Sequence, residues 1–127
     1  MSDLTTNLRT GIAVAAAGYW GPNLIRNFAA HPDCDLRWVC DLSRQRAEQA
    51  LGRHSTVRIT DTIDDLLNDP QVSAVVLATP PATHAPLATS CLRAGKHVLV
   101  EKPLATSLAE GEELVEFGLH ALAHAGE

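Results

Sequence analysis

Residues 11–21 read GIAVAAAGYWG, an apolar run that passes directly into a turn with two glycines. A short apolar run bounded by turn residues is typical of a buried strand. We therefore predict a first strand over Gly11–Ala17. A helix is predicted over Pro22–Ala30, because proline is tolerated in the first turn of a helix, where no N–H is needed. This strand, turn and helix decide the fold.

The turn fits the pattern G-x-G-x-x-G of dinucleotide-binding proteins, with Ala16 at the first glycine position. Gly18 would let the backbone approach a pyrophosphate that a Cβ would hold off, and Gly21 would let the helix pack closely on the strand. The phosphates would bind the free N–H groups and the positive dipole end of the helix. Ala16 is acceptable if its φ is negative, whereas a positive φ would strain it.

An acidic residue follows the second predicted strand, Leu36–Cys40, at the distance where dinucleotide-binding domains hold the adenosine ribose. Asp41 lies 41 − 21 = 20 residues after Gly21. Its carboxylate would repel a 2′-phosphate, so NAD is favoured over NADP, although Arg44 would accommodate that phosphate if Asp41 turned away. The structural alternative is that Gly18 and Gly21 only form a tight turn and that Asp41 helps to cap the next helix.

The rest of the chain alternates short apolar runs with segments of helical period, which predicts an α/β fold with a doubly wound, Rossmann-like parallel sheet of about five strands and helices on both faces. Residues 1–10 are predicted to be a flexible tail, and residues 11–127 to be one dinucleotide-binding domain. The further predicted strands are Thr56–Thr60, Val72–Ala78 and His97–Glu101. The further predicted helices are one capped by Ser43 that runs to about Leu51, one from Thr62 through Leu67, one over Thr83–Ala94, and one with a Ser107/Glu110 capping box that reaches about Ala123.

Composition excludes several classes of protein. The 127 residues are 46% hydrophobic and 20% charged with a net charge of −5, so no basic field attracts nucleic acid. No apolar run approaches the roughly 20 residues that cross a bilayer, so we expect a soluble, cytoplasmic protein without a membrane partner. Three cysteines without a C-x-x-C pair predict reduced thiols rather than disulfides, and no metal site is expected.

A second candidate for chemistry is the sequence Glu101-Lys102-Pro103 at the end of the fifth predicted strand. Open α/β sheets bind ligands at the carboxyl ends of their strands, so Lys102 would lie at the same crevice as the glycine turn. A lysine in a partly dry site can donate and accept a proton during hydride transfer. The alternative is a solvated lysine paired with a neighbouring carboxylate.

The chain carries GYWGPN at residues 18–23, ATPP at 78–81 with Thr83 and His84, and AGKHV at 94–98 leading to EKPLA at 101–105. Together with Asp41, these motifs resemble the N-terminal domain of the Gfo/Idh/MocA family. Members of that family are NAD(P)-dependent sugar and inositol oxidoreductases. The resemblance runs from Gly11 to about Val115, and the order and spacing of the motifs make it specific.

The resemblance implies that the Gly18 turn holds pyrophosphate, that Asp41 holds ribose and that the Thr79-Pro80 loop lies along the cofactor. Lys102 would transfer a proton to or from the substrate beside the nicotinamide, and its bond to Pro103 would be cis. His84 would lie near the cofactor loop, or serve in packing at the start of its helix. The cofactor-binding residues predicted in this way are Gly18, Tyr19, Trp20, Gly21, Asp41, Arg44, Ala78, Thr79, Pro80, His84, Glu101 and Lys102.

Two features depart from the family pattern. Ala16 replaces a glycine, and the sequence ends at Glu127, before the second α/β domain that carries substrate contacts in family members. We therefore expect the cofactor-binding part of an oxidoreductase for sugars or cyclitols that is poorly active alone, with a sugar-like substrate only if a second domain is present. The alternative is a non-catalytic NAD-binding or assembly module, since an unpaired edge of the fifth strand favours association and a homo-oligomer.

Overall fold

A computed structural model describes residues 9–16, 18, 21–53 and 56–124 of the chain. Strands and helices alternate along this part of the chain, as predicted. The strands are β1 (Thr10–Ala15), β2 (Cys34–Cys40), β3 (Arg58–Thr60), β4 (Ala74–Leu77) and β5 (His97–Val100). The helices are α1 (Gly21–Ala30), α2 (Arg44–Leu51), α3 (Ile63–Leu67), α4 (His84–Arg93), preceded by a 3₁₀ turn over Pro81–Thr83, and α5 (Leu108–His124).

The five strands form one sheet in the order β3-β2-β1-β4-β5, and every neighbouring pair is parallel. The predicted Rossmann-like fold class is confirmed. Because the chain leaves β1 toward β2 on one side and later returns to β4 on the other, the strand order reverses between β1 and β4. Open α/β sheets bind their ligands in the crevice at the carboxyl ends of the strands at such a point.

Both faces of the sheet are covered, since successive side chains of a strand point to opposite faces. In β1, Ile12 and Val14 face one core and Ala13 and Ala15 face the other. The first core also contains Ile25, Leu36, Val39, Ala47, Leu51 and Val76, from the sheet, α1 and α2. The second also contains Leu66, Val72, Val75, Leu77, Ala88, Cys91 and Leu114, from the sheet, its flanking loop, α3, α4 and α5.

Local capping rules locate the helix starts well. The Ser43 hydroxyl accepts a hydrogen bond from the Arg46 N–H, and the Thr62 hydroxyl accepts one from the Asp64 N–H. The Glu110 N–H donates to the Ser107 hydroxyl at 3.1 Å. All three predicted caps are therefore present.

Strand ends differ from the predictions by up to two residues. Thr10, placed in the tail by sequence prediction, begins β1 opposite Cys34, which extends β2 two residues toward its amino end. β1 ends at Ala15 because Ala16 has a φ of +82°, which is not a strand conformation. Residues 1–8 of the predicted tail lie outside the described residues. None of the helices in the described ranges has the length and apolar character needed to cross a membrane.

Candidate functional site

The carboxyl ends of four strands bring the predicted site residues to one edge of the sheet. The Ala16 N–H donates to the Cys40 carbonyl, and the Ala78 N–H donates to the Ala15 carbonyl at 2.9 Å. On the far side, the Glu101 N–H donates to the Leu77 carbonyl at 2.9 Å. Backbone hydrogen bonds therefore place the ends of β2, β1, β4 and β5 side by side.

Gly18 lies at the centre of this edge, between β1 and α1. Among the residues that the structure describes, none has an atom within 4 Å of a Cβ built on Gly18 apart from its chain neighbours, so their packing does not require a glycine there. Gly21 is buried as the first residue of α1, and the first turn of that ten-residue helix has no acidic side chain. Open space thus adjoins a helix end whose N–H groups and dipole attract anions, which fits a dinucleotide diphosphate. Tyr19 and Trp20 lie outside the described residues.

Ala16, at the position of the missing first glycine, takes a φ of +82°. A positive φ is the conformation that strains a residue with a Cβ at this position. An L-residue there brings its Cβ too close to the backbone, at a cost of roughly 1–2 kcal/mol, whereas glycine has no such penalty. The chain therefore keeps the turn at the expense of backbone strain.

We expect Ala16→Gly to raise the free energy of unfolding by about 0.5–1 kcal/mol, because relief of strain exceeds the entropy gained by the unfolded chain. Denaturant unfolding measures the change. Ala15→Gly is the matched control: Ala15 is 2% exposed within β1 and has no positive φ, so that substitution should destabilise. A loss of stability in Ala16→Gly as well would contradict the account of the turn.

Asp41 is buried, with 4% of its surface exposed. Arg46 makes two hydrogen bonds to its carboxylate, from Nη2 to Oδ1 at 2.8 Å and from Nε to Oδ2 at 3.1 Å. The hydrogen bond to Asp41 raises the pKa of the Arg46 guanidinium. The Ser43 N–H also donates to Asp41 Oδ1 at 2.7 Å, so Asp41 supports the start of α2, as the structural alternative held.

The arginine that contacts Asp41 is Arg46, while the role of Arg44 toward a 2′-phosphate stays a prediction. Arg44 points along the exposed side of α2, where its Nε pairs with Glu48 at 3.1 Å. Arg46 is three residues after the cap Ser43, the position from which side chains reach back past the helix start. Its side chain is 53% exposed, so its guanidinium is accessible to a ligand at this edge. The capping pattern contained the signal that identifies Arg46.

The loop after β4 is held by its own side chains. The Thr83 hydroxyl lies 2.7 Å from the Thr79 hydroxyl and 2.6 Å from the Pro80 carbonyl. His84 is 1% exposed, with Nε2 2.8 Å from the Thr79 carbonyl and Nδ1 2.6 Å from the Pro103 carbonyl. The ring is therefore buried at the start of its helix with both nitrogens facing backbone, in line with the packing alternative, and its contact with cofactor stays a prediction.

Lys102 follows β5 and is exposed. Its peptide bond to Pro103 is cis, as the resemblance implied. No carboxylate in the described residues pairs with its ammonium group, so the alternative of an ion-paired lysine is not observed. Lys102 therefore presents its side-chain amino group at the edge that also holds Gly18 and Asp41.

Neither Cys40, which lies at the site, nor Cys91, near the end of α4, has a reactive thiol. Burial raises the pKa of Cys40, at the end of β2, to about 11, and Asp41, Asp61 and Asp65 contribute further. Burial also raises the pKa of Cys91 to about 11. Since the thiolate is the reactive form, neither residue is an activated nucleophile.

Comparison with known proteins agrees with this geometry. Residues 10–118 match the model of a family described as an oxidoreductase family with an NAD-binding Rossmann fold. Inositol 2-dehydrogenase 2 of Paenarthrobacter aurescens is 38% identical over 105 residues, which cover 82% of this chain and 31% of that protein. The uncharacterized oxidoreductase YrbE of Bacillus subtilis is 31% identical, over a match that covers 87% of this chain and 32% of YrbE.

Solved structures show the same likeness. GenD2 from gentamicin A biosynthesis, in complex with NAD, superposes with a TM-score of 0.84 at 38% identity. The match covers 89% of this chain and 32% of GenD2. The chain thus spans about a third of the length of the relatives it matches.

Proposed function

Because the chain belongs to this oxidoreductase family with an NAD-binding Rossmann fold, we propose that it supplies the cofactor site and one proton-transfer group of an enzyme that oxidises or reduces a sugar or cyclitol. The observation that carries the proposal is the juxtaposition at one sheet edge of Gly18, Asp41 and Lys102. Relatives that include inositol dehydrogenases support the substrate class.

The residues present fit a nicotinamide dinucleotide. The N–H groups in the first turn of α1 and the open space at Gly18 would hold the diphosphate, and Asp41 would accept hydrogen bonds from the adenosine ribose. Ala78, Thr79, Pro80 and Glu101 would border the cofactor on the β4 and β5 side. The bound nicotinamide supplies hydride exchange with the substrate carbon.

Lys102 would handle the proton that accompanies hydride transfer. As a hydroxyl is oxidised to a carbonyl, the unprotonated amine of Lys102 would take the hydroxyl proton, and in the reverse direction its ammonium form would return that proton. Its exposure and its freedom from ion pairs within the described residues support access to a substrate. We propose that the substrate-selecting residues lie outside this chain, so that the chain alone binds cofactor and turns over little.

Lys102→Ala in the full reading frame that encodes this chain should lower kcat by about 10²–10⁴-fold, the usual contribution of a positioned acid–base group. Turnover of inositol with NAD measures the effect, and Lys102→Arg is the matched control. Arginine keeps the charge but cannot release its proton, so it should bind NAD normally and fail to restore turnover. A wild-type rate in Lys102→Ala would refute the assigned role.

The second candidate is a non-catalytic NAD-binding or assembly module. The observation that favours it is the edge strand β5 with its loop, where Leu99 is 56% and Leu104 40% exposed. The full reading frame separates the candidates: binding of NAD without turnover of any sugar or cyclitol would favour the module.

Arg46 makes the cofactor preference testable. If its guanidinium receives the 2′-phosphate of NADP, we expect Arg46→Ala to shift the preference toward NAD by about tenfold or more, because a hydrogen bond to a charged group contributes roughly 1.5–3 kcal/mol. Calorimetric titration with both cofactors measures this, and Arg44→Ala is the control, since Arg44 pairs with Glu48 instead. A larger shift of the cofactor preference in Arg44→Ala than in Arg46→Ala would instead assign the 2′-phosphate to Arg44.

A further inference from the structure

His84 occupies an unusual position between two loops of the site. It is the first residue of α4, and its ring is buried between the loop after β4 and the loop after β5. Nε2 lies 2.8 Å from the Thr79 carbonyl, and Nδ1 lies 2.6 Å from the Pro103 carbonyl. Among the described residues, no other side chain forms hydrogen bonds to both loops.

Both partners of the ring are backbone carbonyls, which only accept hydrogen bonds. A ring that carries one proton donates to one loop, and a ring that carries two donates to both. With both nitrogens directed at the backbone and 1% of its surface exposed, His84 has no group left for substrate. Any effect it has on the site must therefore act through the loops.

The segment around Lys102 is fixed on both sides of the lysine. Before it, the Glu101 N–H donates to the Leu77 carbonyl at the end of β4. After it, the Pro103 carbonyl accepts from His84 Nδ1 when that nitrogen is protonated. Lys102 itself is exposed and unpaired within the described residues, so these two anchors define where its backbone lies.

The other side of the ring meets a loop that is already rigid. Thr83 holds Thr79 and Pro80 through its hydroxyl, and its own N–H donates to the Pro80 carbonyl at 2.9 Å. Because His84 directly follows Thr83 in the chain, a hydrogen bond from its Nδ1 to the Pro103 carbonyl joins the Lys102 segment to this rigid loop, whether or not Nε2 also donates.

We infer that His84 is a positioning residue: its ring ties the Pro103 carbonyl to the loop after β4 and so sets the place of Lys102 relative to the bound cofactor. This inference rests on the proposed site for NAD and the proposed role of Lys102. Displacement by about 1 Å of a group at the reacting centre can lower a rate by about 10²-fold, which makes such a tie consequential.

Two substitutions separate the two hydrogen bonds. His84→Asn retains a donor near the place of Nδ1 and keeps the tie to Pro103, whereas His84→Gln retains one near the place of Nε2 and keeps only the tie to Thr79. Amide NMR of this chain, titrated with NAD, reads out both the cofactor site and the lysine segment. In wild type, the amides of Gly18 and Lys102 should both shift.

We expect the Lys102 response to be lost in His84→Gln and retained in His84→Asn, with the Gly18 response present in both variants. If Lys102 responds equally in wild type and both variants, the inference is overturned and the NAD site stands. If Gly18 does not respond in wild type, the proposed function fails and the inference fails with it.

A measurement on the unaltered protein covers the case in which a variant does not fold. Histidine labelled with ¹⁵N should show a proton on Nδ1 of His84 that exchanges slowly with water, because that nitrogen is buried against the Pro103 carbonyl. A ring without a protected Nδ1 proton would overturn the inference.

Discussion

Gly11→Ala should lower the free energy of unfolding by about 3 kcal/mol or more, because overpacking against rigid backbone is among the costly single changes. A Cβ on Gly11 would lie 1.8 Å from the carbonyl oxygen of Gln71 and 2.9 Å from its carbonyl carbon. Gly11 is buried in β1, and its own carbonyl accepts from the Ser73 N–H. The obstacle is backbone, so relief requires β1 and the segment that precedes β4 to separate.

Chemical denaturation of wild type and Gly11→Ala measures this loss in the free energy of unfolding. Gly111→Ala is the matched control, since no atom of another described residue lies within 4 Å of the Cβ built there, in the first turn of α5. Alanine in an open helical position should stabilise by roughly 0.5–1 kcal/mol relative to glycine. If Gly11→Ala instead has the stability of wild type, the close approach of Gly11 to Gln71 is wrong.

Features that depend on neighbours in sequence could be predicted. Apolar runs bounded by turn residues identified all five strands, and the hydroxyls of Ser43 and Thr62 marked the starts of α2 and α3. The parallel order followed from the alternation of strands and helices, because parallel strands need crossover connections. Strand ends were less exact, since a strand ends where its pairing and φ change.

Features that depend on contacts distant in sequence could not be predicted. His84 and Pro103 are 19 residues apart, and nothing local indicates that the ring would find that carbonyl. Lys96, the first lysine of the AGKHV…EKPLA motif, proved to be buried, with its Nζ donating to the Asp69 carbonyl 27 residues away. Position 11 likewise requires glycine because the backbone of Gln71, in the connection that leads to β4, lies against it.

The second large effect is expected on binding. Gly18→Val should weaken NAD binding by about a hundredfold or more, because the side chain would fill the space of the diphosphate and remove hydrogen bonds to a charged group, each worth roughly 1.5–3 kcal/mol. The fold should tolerate the change, since a Cβ at Gly18 meets no atom of the other described residues within 4 Å and the φ of Gly18 lies outside the left-handed region.

Thermal unfolding without ligand is the control for this substitution. The melting temperatures of wild type and Gly18→Val should agree within about 2 °C, which corresponds to a few tenths of a kcal/mol in a domain of this size. A variant that both unfolds early and fails to bind would show that Gly18 serves the fold, contrary to the open space around it.

The most direct test of the proposed cofactor site is calorimetric titration of the purified wild-type chain and Gly18→Val with NAD. The site described here predicts saturable heat for wild type and none for the variant at the same concentrations. Equal heats for the two proteins would contradict a diphosphate site at the amino end of α1.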